Sequence, residues 1–365
     1  VASKNLPAKM IDKLQVLDKK SDMAQMTGFD DGEEETVINL TVKPGMKQGW
    51  FGNAYGGYGS KDRYEGNAMV NRFVNNDQIT FMGGANNTNN MGFSDLASTM
   101  FSGMGGGGGR RGGFGAGSGI TSSGNAGLNF SKEFKPDKLT LGGNTRYSHS
   151  DNDARSKSDR QNILPGDSSS YDNSEAMSRT KSDNFGVDFR LEWKPDTMTQ
   201  LIFRPSFSLS HSMNDNFSDA TTLDNERDTV NTNKSSNYSE SNGYNLNASI
   251  DFSRKLNNKG RVFSATLSGG NSDSYSDGMN RSDIVYFNQT DALKNSIIDQ
   301  RSRYDNKGFN YRAYVSWVEP IGHNNFIQAT YSISQRKQEA LKNVYNQDAD
   351  GIYNVLDSAY SQSYR

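Results

Sequence analysis

Apolar and polar residues alternate with a period of two over long stretches of this chain. In 184–194, Phe185, Val187, Phe189, Leu191 and Trp193 take one face, and Asn184, Asp188, Arg190, Glu192 and Lys194 take the other. In 199–209, Leu201, Phe203, Phe207 and Leu209 oppose Gln200, Arg204, Ser206 and Ser208. The same alternation runs through 244–253, from Tyr244 to Phe252, and through 309–317, from Phe309 to Trp317. Successive strand side chains point to opposite faces, so each stretch predicts a strand with one apolar face and one polar, often charged, face. About eleven such strands are predicted, over 49–60, 63–75, 77–87, 121–134, 138–150, 182–194, 198–212, 238–256, 260–276, 304–318 and 324–338. Each has the ~9–11 residues that a tilted strand needs to cross a bilayer.

The connections sharpen this picture. Lys135-Pro136-Asp137, Pro195-Asp196-Thr197, Asn257-Asn258-Lys259 and the segment around Gly322 predict tight turns. Between them lie long polar segments, read as loops over 88–120, 151–181, 213–237, 277–303 and 339–352. From the third strand onward short and long connections strictly alternate, the pattern of an outer-membrane barrel with short turns on one side and long loops on the other. Aromatic residues placed near predicted strand ends, Trp50, Tyr58, Tyr147, Trp193, Tyr311 and Trp317, fit interfacial girdles. The competing reading is a large soluble antiparallel barrel or sandwich, against which the charged second face counts.

Composition adds exclusions. The 365 residues carry 40 Lys+Arg and 42 Asp+Glu, a net charge of −2, which gives no basic surface for nucleic acid. Hydrophobic residues are only 33% and the longest apolar run is the four residues Ile284–Phe287, far short of a membrane helix. Aromatic residues are nevertheless 11%, which opposes general disorder. There is no Cys, so disulfide and thiolate chemistry are absent.

Candidate chemistry is sparse. Residues 103–119 are Gly-rich but lack the Lys-Ser/Thr of a phosphate loop and read as low-complexity loop. The apolar residues before it, from Met91 to Met104, suit a short amphipathic turn. His149, His211 and His323 are not spaced as a zinc site. No nucleophile elbow or resolvable carboxylate pair is present, so the chain is read as a non-enzyme without a required cofactor. Asn346, Asp348, Asp350 and Asp357 fit the calcium-loop template in part, with Gly351 at the turn. A plain hairpin tipped by Asp350-Gly351 is the preferred reading of that segment and calcium the alternative.

Residues 1–45 form a different unit, read as small α/β, with Pro7 at a helix start and short strands at 11–17 and 36–42. Ile11-Asp12-Lys13-Leu14-Gln15-Val16-Leu17 resembles the I-E-R-I-E-V-L strand of the plug domain in TonB-dependent receptors. Val37-Ile38-Asn39-Leu40-Thr41-Val42-Lys43 is similar to the G-V-I-N-I-x-T-K strand that ends that plug. Asp18-Lys19-Lys20 stands where the family has Arg-Gly-Pro, and Thr36 where it has Gly. These changes, and Gly49-Trp50-Phe51-Gly52-Asn53-Ala54-Tyr55 as a first barrel strand, resemble the Bacteroidetes-type branch.

The resemblance implies a 22-stranded barrel with a plug in its lumen, of which this chain supplies the end of the plug (1–45) and an incomplete N-terminal half of the barrel (46–365). Because an open edge cannot stand in lipid, the chain is expected to be a piece of a longer protein. The implied function is nutrient import (siderophore, glycan or peptide) across the outer membrane. The implied partners are outer-membrane lipid, the inner-membrane TonB energy transducer and a surface lipoprotein. A structural or adhesive outer-membrane barrel is the alternative.

Overall fold

A computed structural model describes residues 11–20, 34–43, 48–89, 119–163, 169–258, 260–287, 295–321 and 325–365. Among these residues every regular element is a strand. A separate two-stranded sheet pairs β1 (Ile11–Lys20) with β2 (Glu34–Val42) antiparallel, with an irregularity in β1 at Asp12. The helix read at 6–11 falls almost wholly outside the described residues.

The large sheet is an antiparallel meander in which each strand pairs with its sequence neighbours. It opens with β3 (Gln48–Gly59), β4 (Arg63–Val74), β5 (Asp77–Asn86) and β6 (Ile120–Lys135). It continues with β7 (Leu139–Asn162), β8 (Ser170–Trp193), β9 (Thr199–Leu223) and β10 (Thr229–Lys255). β11 (Val262–Tyr286), β12 (Asn295–Ile321) and β13 (Asn325–Gln347) complete the long strands. Two short strands, β14 (Tyr353–Leu356) and β15 (Gln362–Tyr364), then pair with the far end of β13. All eleven predicted strands are present as β3–β13, and the tight turns lie where the sequence places them, except that Lys259 and 322–324 are outside the described residues.

The long loops require correction. Segments 151–181, 213–237, 277–303 and 339–352 are mostly strand. The β7–β8 ladder runs without a register shift from Leu139↔Trp193 to Asn162↔Ser170. The β9–β10 ladder closes at Thr229↔Leu223, and β11–β12 at Val285↔Asn295. Strands of 24–27 residues reach about 80–90 Å along their axis at ~3.4 Å per residue, far beyond a bilayer core. Their Ser-, Asn- and Asp-rich outer ends have low intrinsic strand propensity. They are extended because a ladder already in register adds one pair at a time at no further cost of chain closure. Most of the 88–120 loop, with the Gly-rich segment and Met91–Met104, lies outside the described residues.

The two faces differ in packing. Each fully buried non-glycine side chain among the described residues, including Met69, Asn71, Thr80, Met82, Asn144, Ile202 and Ser316, lies on the polar face. On the opposite face Gly143 is overlaid by the Phe130 and Phe189 rings, which stand edge to face with centroids 6.3 Å apart. The β8–β9 ladder skips Phe189 and Arg190, beside Pro205, which has no N–H to donate.

Candidate functional site

The registers assign every side chain of β7–β12 to a face and a level. In the half nearer the tight turns, rows such as Trp193, Leu201 and Phe252 or Val187, Phe207 and Leu246 make one apolar surface across neighbouring strands. Phe263, Trp317 and Ala329 continue it on β11–β13. Trp193, Leu246, Trp317 and Ala329 are exposed and the others half-buried, and Leu246 at 49% and Leu267 on β11 at 56% are among the barest of the belt. Trp193 and Trp317 close this belt at the turn end, and the row Tyr147, Phe185, Leu209, Tyr244 closes it at the other. Tyr311 is a correction: it sits in mid-belt opposite Gly269, not at a strand end.

Behind the belt the polar face carries charges in hydrogen-bonded groups. Arg204 pairs with Asp251, which also accepts from Thr266 Oγ1 at 2.8 Å. Glu192 receives Lys194 at 2.8 Å and Gln200 at 2.9 Å, and Asp188 receives Asn144. Thr80 donates to Asn71 Oδ1. Asn71 Nδ2 and Asn144 Oδ1 are buried without a partner among the described residues, so this wall holds both a spare donor and a spare acceptor.

Above the belt the arrangement inverts. Through six successive rows the polar face now carries only uncharged side chains on β7–β12, and Arg160 and Asp172 form the next pair on β7 and β8. Its rows run from Ser148, Asn184, Ser210, Gly243, Ser274 and Asn306 up to Ser158, Ser174, Ala220, Asn233, Ile284 and Ser296. Cross-strand bonds stitch them: Ser150–Ser182 at 2.8 Å, Thr180 to Asn214 at 3.0 Å, and Ser241 to Ser276 at 2.8 Å. The belt side at the same levels holds the charges. Arg179 grips Asp151 through Nε and a terminal nitrogen at 3.0 and 2.7 Å, and Arg301 grips Asp277 in the same bidentate way. The Arg179 hydrogen bonds hold the Asp151 carboxyl below its ordinary range, and those of Arg301 do the same for Asp277.

At the junction of belt and charges lies an open groove of about 450 Å³, floored by Phe185, Leu209 and Tyr244 and rimmed by Asp183, His211 and Asn242. Asp183 accepts from Tyr147 at 2.6 Å and bonds His149 Nδ1 at 2.8 Å, while His211 Nδ1 bonds Asn242 Oδ1 at 2.7 Å. This His–Asp grouping was not legible in the sequence, where His149, Asp183 and His211 stand ~30 residues apart. Only the hairpin register brings them into one row. His323 is outside the described residues.

Of the residues read as plug motif, Val16 pairs with Ile38, Leu17 with Val37, and Gln15 with Asn39, while Ile11 pairs with Val42 and Lys13 with Thr41. Thr36 Oγ1 donates to Asp18 at 2.9 Å in the same ladder.

Asn346, Asp348, Asp350 and Asp357 build the β13–β14 hairpin. Asp348 Oδ1 accepts the Asp350 and Ile352 N–H groups, each at 2.9 Å, and its Oδ2 takes Asn354 Nδ2. These bonds, led by the Ile352 N–H, hold the Asp348 carboxyl below its ordinary range. Asp357 accepts instead from Asn346 Nδ2 at 3.1 Å and from Gln300. The carboxylate oxygens are turned to backbone and amide donors, and among the described residues no group of three acidic or His side chains is arranged to hold a metal ion.

Among the described residues no helix is long and apolar enough to cross a membrane, which leaves strands to carry any crossing. No protein-family model matches the chain, and no curated protein is similar to it.

Proposed function

We propose that this chain is part of an outer-membrane receptor that imports a nutrient, with β3–β13 crossing the bilayer and residues 1–45 contributing the end of a plug moved by TonB. The observation that carries the membrane reading is the bare apolar belt backed by a charged, hydrogen-bonded face. Covering an exposed Leu or Phe side chain is worth about 1.5–3 kcal/mol, and the belt repeats such residues on strand after strand. A soluble protein does not leave so wide an apolar surface open. From Phe185 to Trp193 the belt spans about 26 Å along the strand, or roughly 20 Å at a barrel tilt, near the ~25 Å band of outer-membrane barrels. Aromatic residues stand at both of its edges.

In this reading the polar face lines the lumen, and its hydrogen-bonded charges are the wall against which a plug and a ligand sit. The outer hairpins extend the wall beyond the membrane. The free edges along β3 and along 325–338 of β13 must be paired by further strands, because lipid offers backbone groups no partners. Transport itself rests on the resemblance of β1 and β2 to the plug strands, and a surface lipoprotein that closes over the hairpins belongs to the same proposal. The test is uptake by cells carrying the full-length protein. Import that disappears when TonB is deleted supports it; import unchanged without TonB overturns it.

A further inference from the structure

We infer that the inner wall of the outer hairpins is a ligand-binding surface for an uncharged, hydroxyl-rich molecule of the neutral oligosaccharide class. The inference rests on the receptor reading above and narrows its ligand. It follows from how charge is sorted between the two faces. On β7 the side chains of Ser148, Ser150, Asn152, Ala154, Ser156 and Ser158 face inward, while every intervening residue from His149 to Asp159 is ionisable and faces outward. At these levels charge is confined to the outward side on all six strands β7–β12, where it stands among apolar residues such as Met177, Phe217, Met279 and Ile297. Solubility alone asks for charge on either face. Only a surface from which charge is kept needs it confined to one.

The chemistry of the wall fits a polyol. Ser and Thr hydroxyls donate once and accept twice, and an Asn amide donates twice and accepts twice. A cross-strand bond such as Thr180 to Asn214 at 3.0 Å uses one of these capacities and leaves the rest aimed inward. Hydroxyl groups of a ligand trade their water bonds for wall bonds at little net cost. A carboxylate, phosphate or ferric complex would give up hydration with no counter-charge in these six rows, a penalty the neutral ligand avoids. The short side chains also leave the surface shallow along the strands, which suits an extended chain of sugar units.

The test uses the full-length protein in detergent, isosteric Asn-to-Asp changes, and three ligand pools. The pools are neutral hexose and pentose oligosaccharides, uronate oligosaccharides, and ferric siderophores, with a tryptic peptide mixture as a fourth arm. The inward triple variant N214D/N216D/N237D adds charge without changing shape. N173D, on the outward side of β8, is the matched control. The expected result is retention of neutral oligosaccharide, with affinity changing by less than about twofold between roughly 50 and 500 mM salt. The inward triple variant is expected to lower that affinity at least about tenfold, and N173D by less than about twofold. Retention of only uronates, siderophores or peptides overturns the inference. So does failure to retain any neutral oligosaccharide, or full binding by the inward variant. Binding by purified protein needs no TonB, so a TonB-independent uptake result removes the transport reading while leaving this one standing.

Discussion

The two halves of the long strands obey the same period of two in opposite solvents. Nearer the tight turns, β9 sets Phe203 and Phe207 on one face and Arg204 and Ser208 on the other. Further out, the same strand sets His211, Asp215 and Asp219 on the former apolar face and Ser212, Asn214 and Asn216 on the inner one. Charge has crossed from the inside to the outside within one unbroken ladder. The difference teaches that the pairing register, and not hydrophobicity, carries the fold outward, and that each half is matched to what it touches. The lower half turns apolar groups outward, where the proposed lipid lies. The upper half turns ion pairs outward and keeps six rows of its inner wall neutral.

The largest test of this contrast compares one substitution at two levels of β9. Phe207→Arg, one row inside the belt's upper edge, is expected to cost at least about 1 kcal/mol in folding into lipid vesicles, rising toward the ~2–4 kcal/mol of Arg at the bilayer midplane. Phe217→Arg, on the same face but above the belt beside Asp215 and Asp219, is expected to change stability by less than about 0.5 kcal/mol. Equal costs at both sites would erase the distinction between the halves. Denaturant titration of vesicle-folded protein measures both.

A second test targets packing on the belt. A Cβ at Gly143 would lie 2.6 Å from Phe189 Cδ1 and 2.9 Å from Phe130 Cε1. Gly143→Val is therefore expected to cost about 1–3 kcal/mol, the range for overpacking. Gly57→Val, where nothing stands within 4 Å, is expected to be near neutral. The same titrations read both.

The third test sharpens the contrast through pH. Asp151 and Asp277 have carboxyls lowered by Arg179 and Arg301. A lowered carboxylate contributes stability that is complete above its unfolded pKa of about 3.9 and is lost as pH falls through its folded value. The outer hairpins are thus expected to loosen from about pH 4 downward. In Arg179→Gln with Arg301→Gln, that loss should shrink. Amide exchange, corrected for its intrinsic pH dependence, resolves it by region. The smallest effect is expected at the β13–β14 tip, where Asp348→Ala should speed exchange of the Asp350 and Ile352 amides and leave the long ladders unchanged.

Much of the lower half was legible because hydrophobic alternation marks its strands: Phe185 to Trp193 announces both the strand and its two faces. The upper half was hidden because its alternation is in charge, not hydropathy. In Ser150-Asp151-Asn152-Asp153-Ala154-Arg155 the first four residues favour turns when taken singly. Read as neutral against ionisable, the same segment has the period of two that the structure shows. The belt-top grouping of His149, Asp183 and His211 could not be read, since it depends on register across three strands. At 346–357 the hairpin reading matches the geometry, with Asp348 spent on the turn. The plug-like strands are seen as a paired ladder, which agrees with the resemblance without testing what it implies.

The central claim is that the lower half of β3–β13 sits in a bilayer with its belt outward. These 365 residues hold no cysteine, so labelling of the unsubstituted full-length protein gives the background to subtract. Phe207→Cys, Ser208→Cys and Phe217→Cys in the full-length protein, reconstituted in vesicles, would be probed with a water-soluble maleimide and with a lipid-phase quencher of an attached fluorophore. The account predicts that the label at 207 is reached from lipid and shielded from water, while those at 208 and 217 are reached from water. Water access at 207 equal to that at 217, with no quenching from lipid, would contradict it.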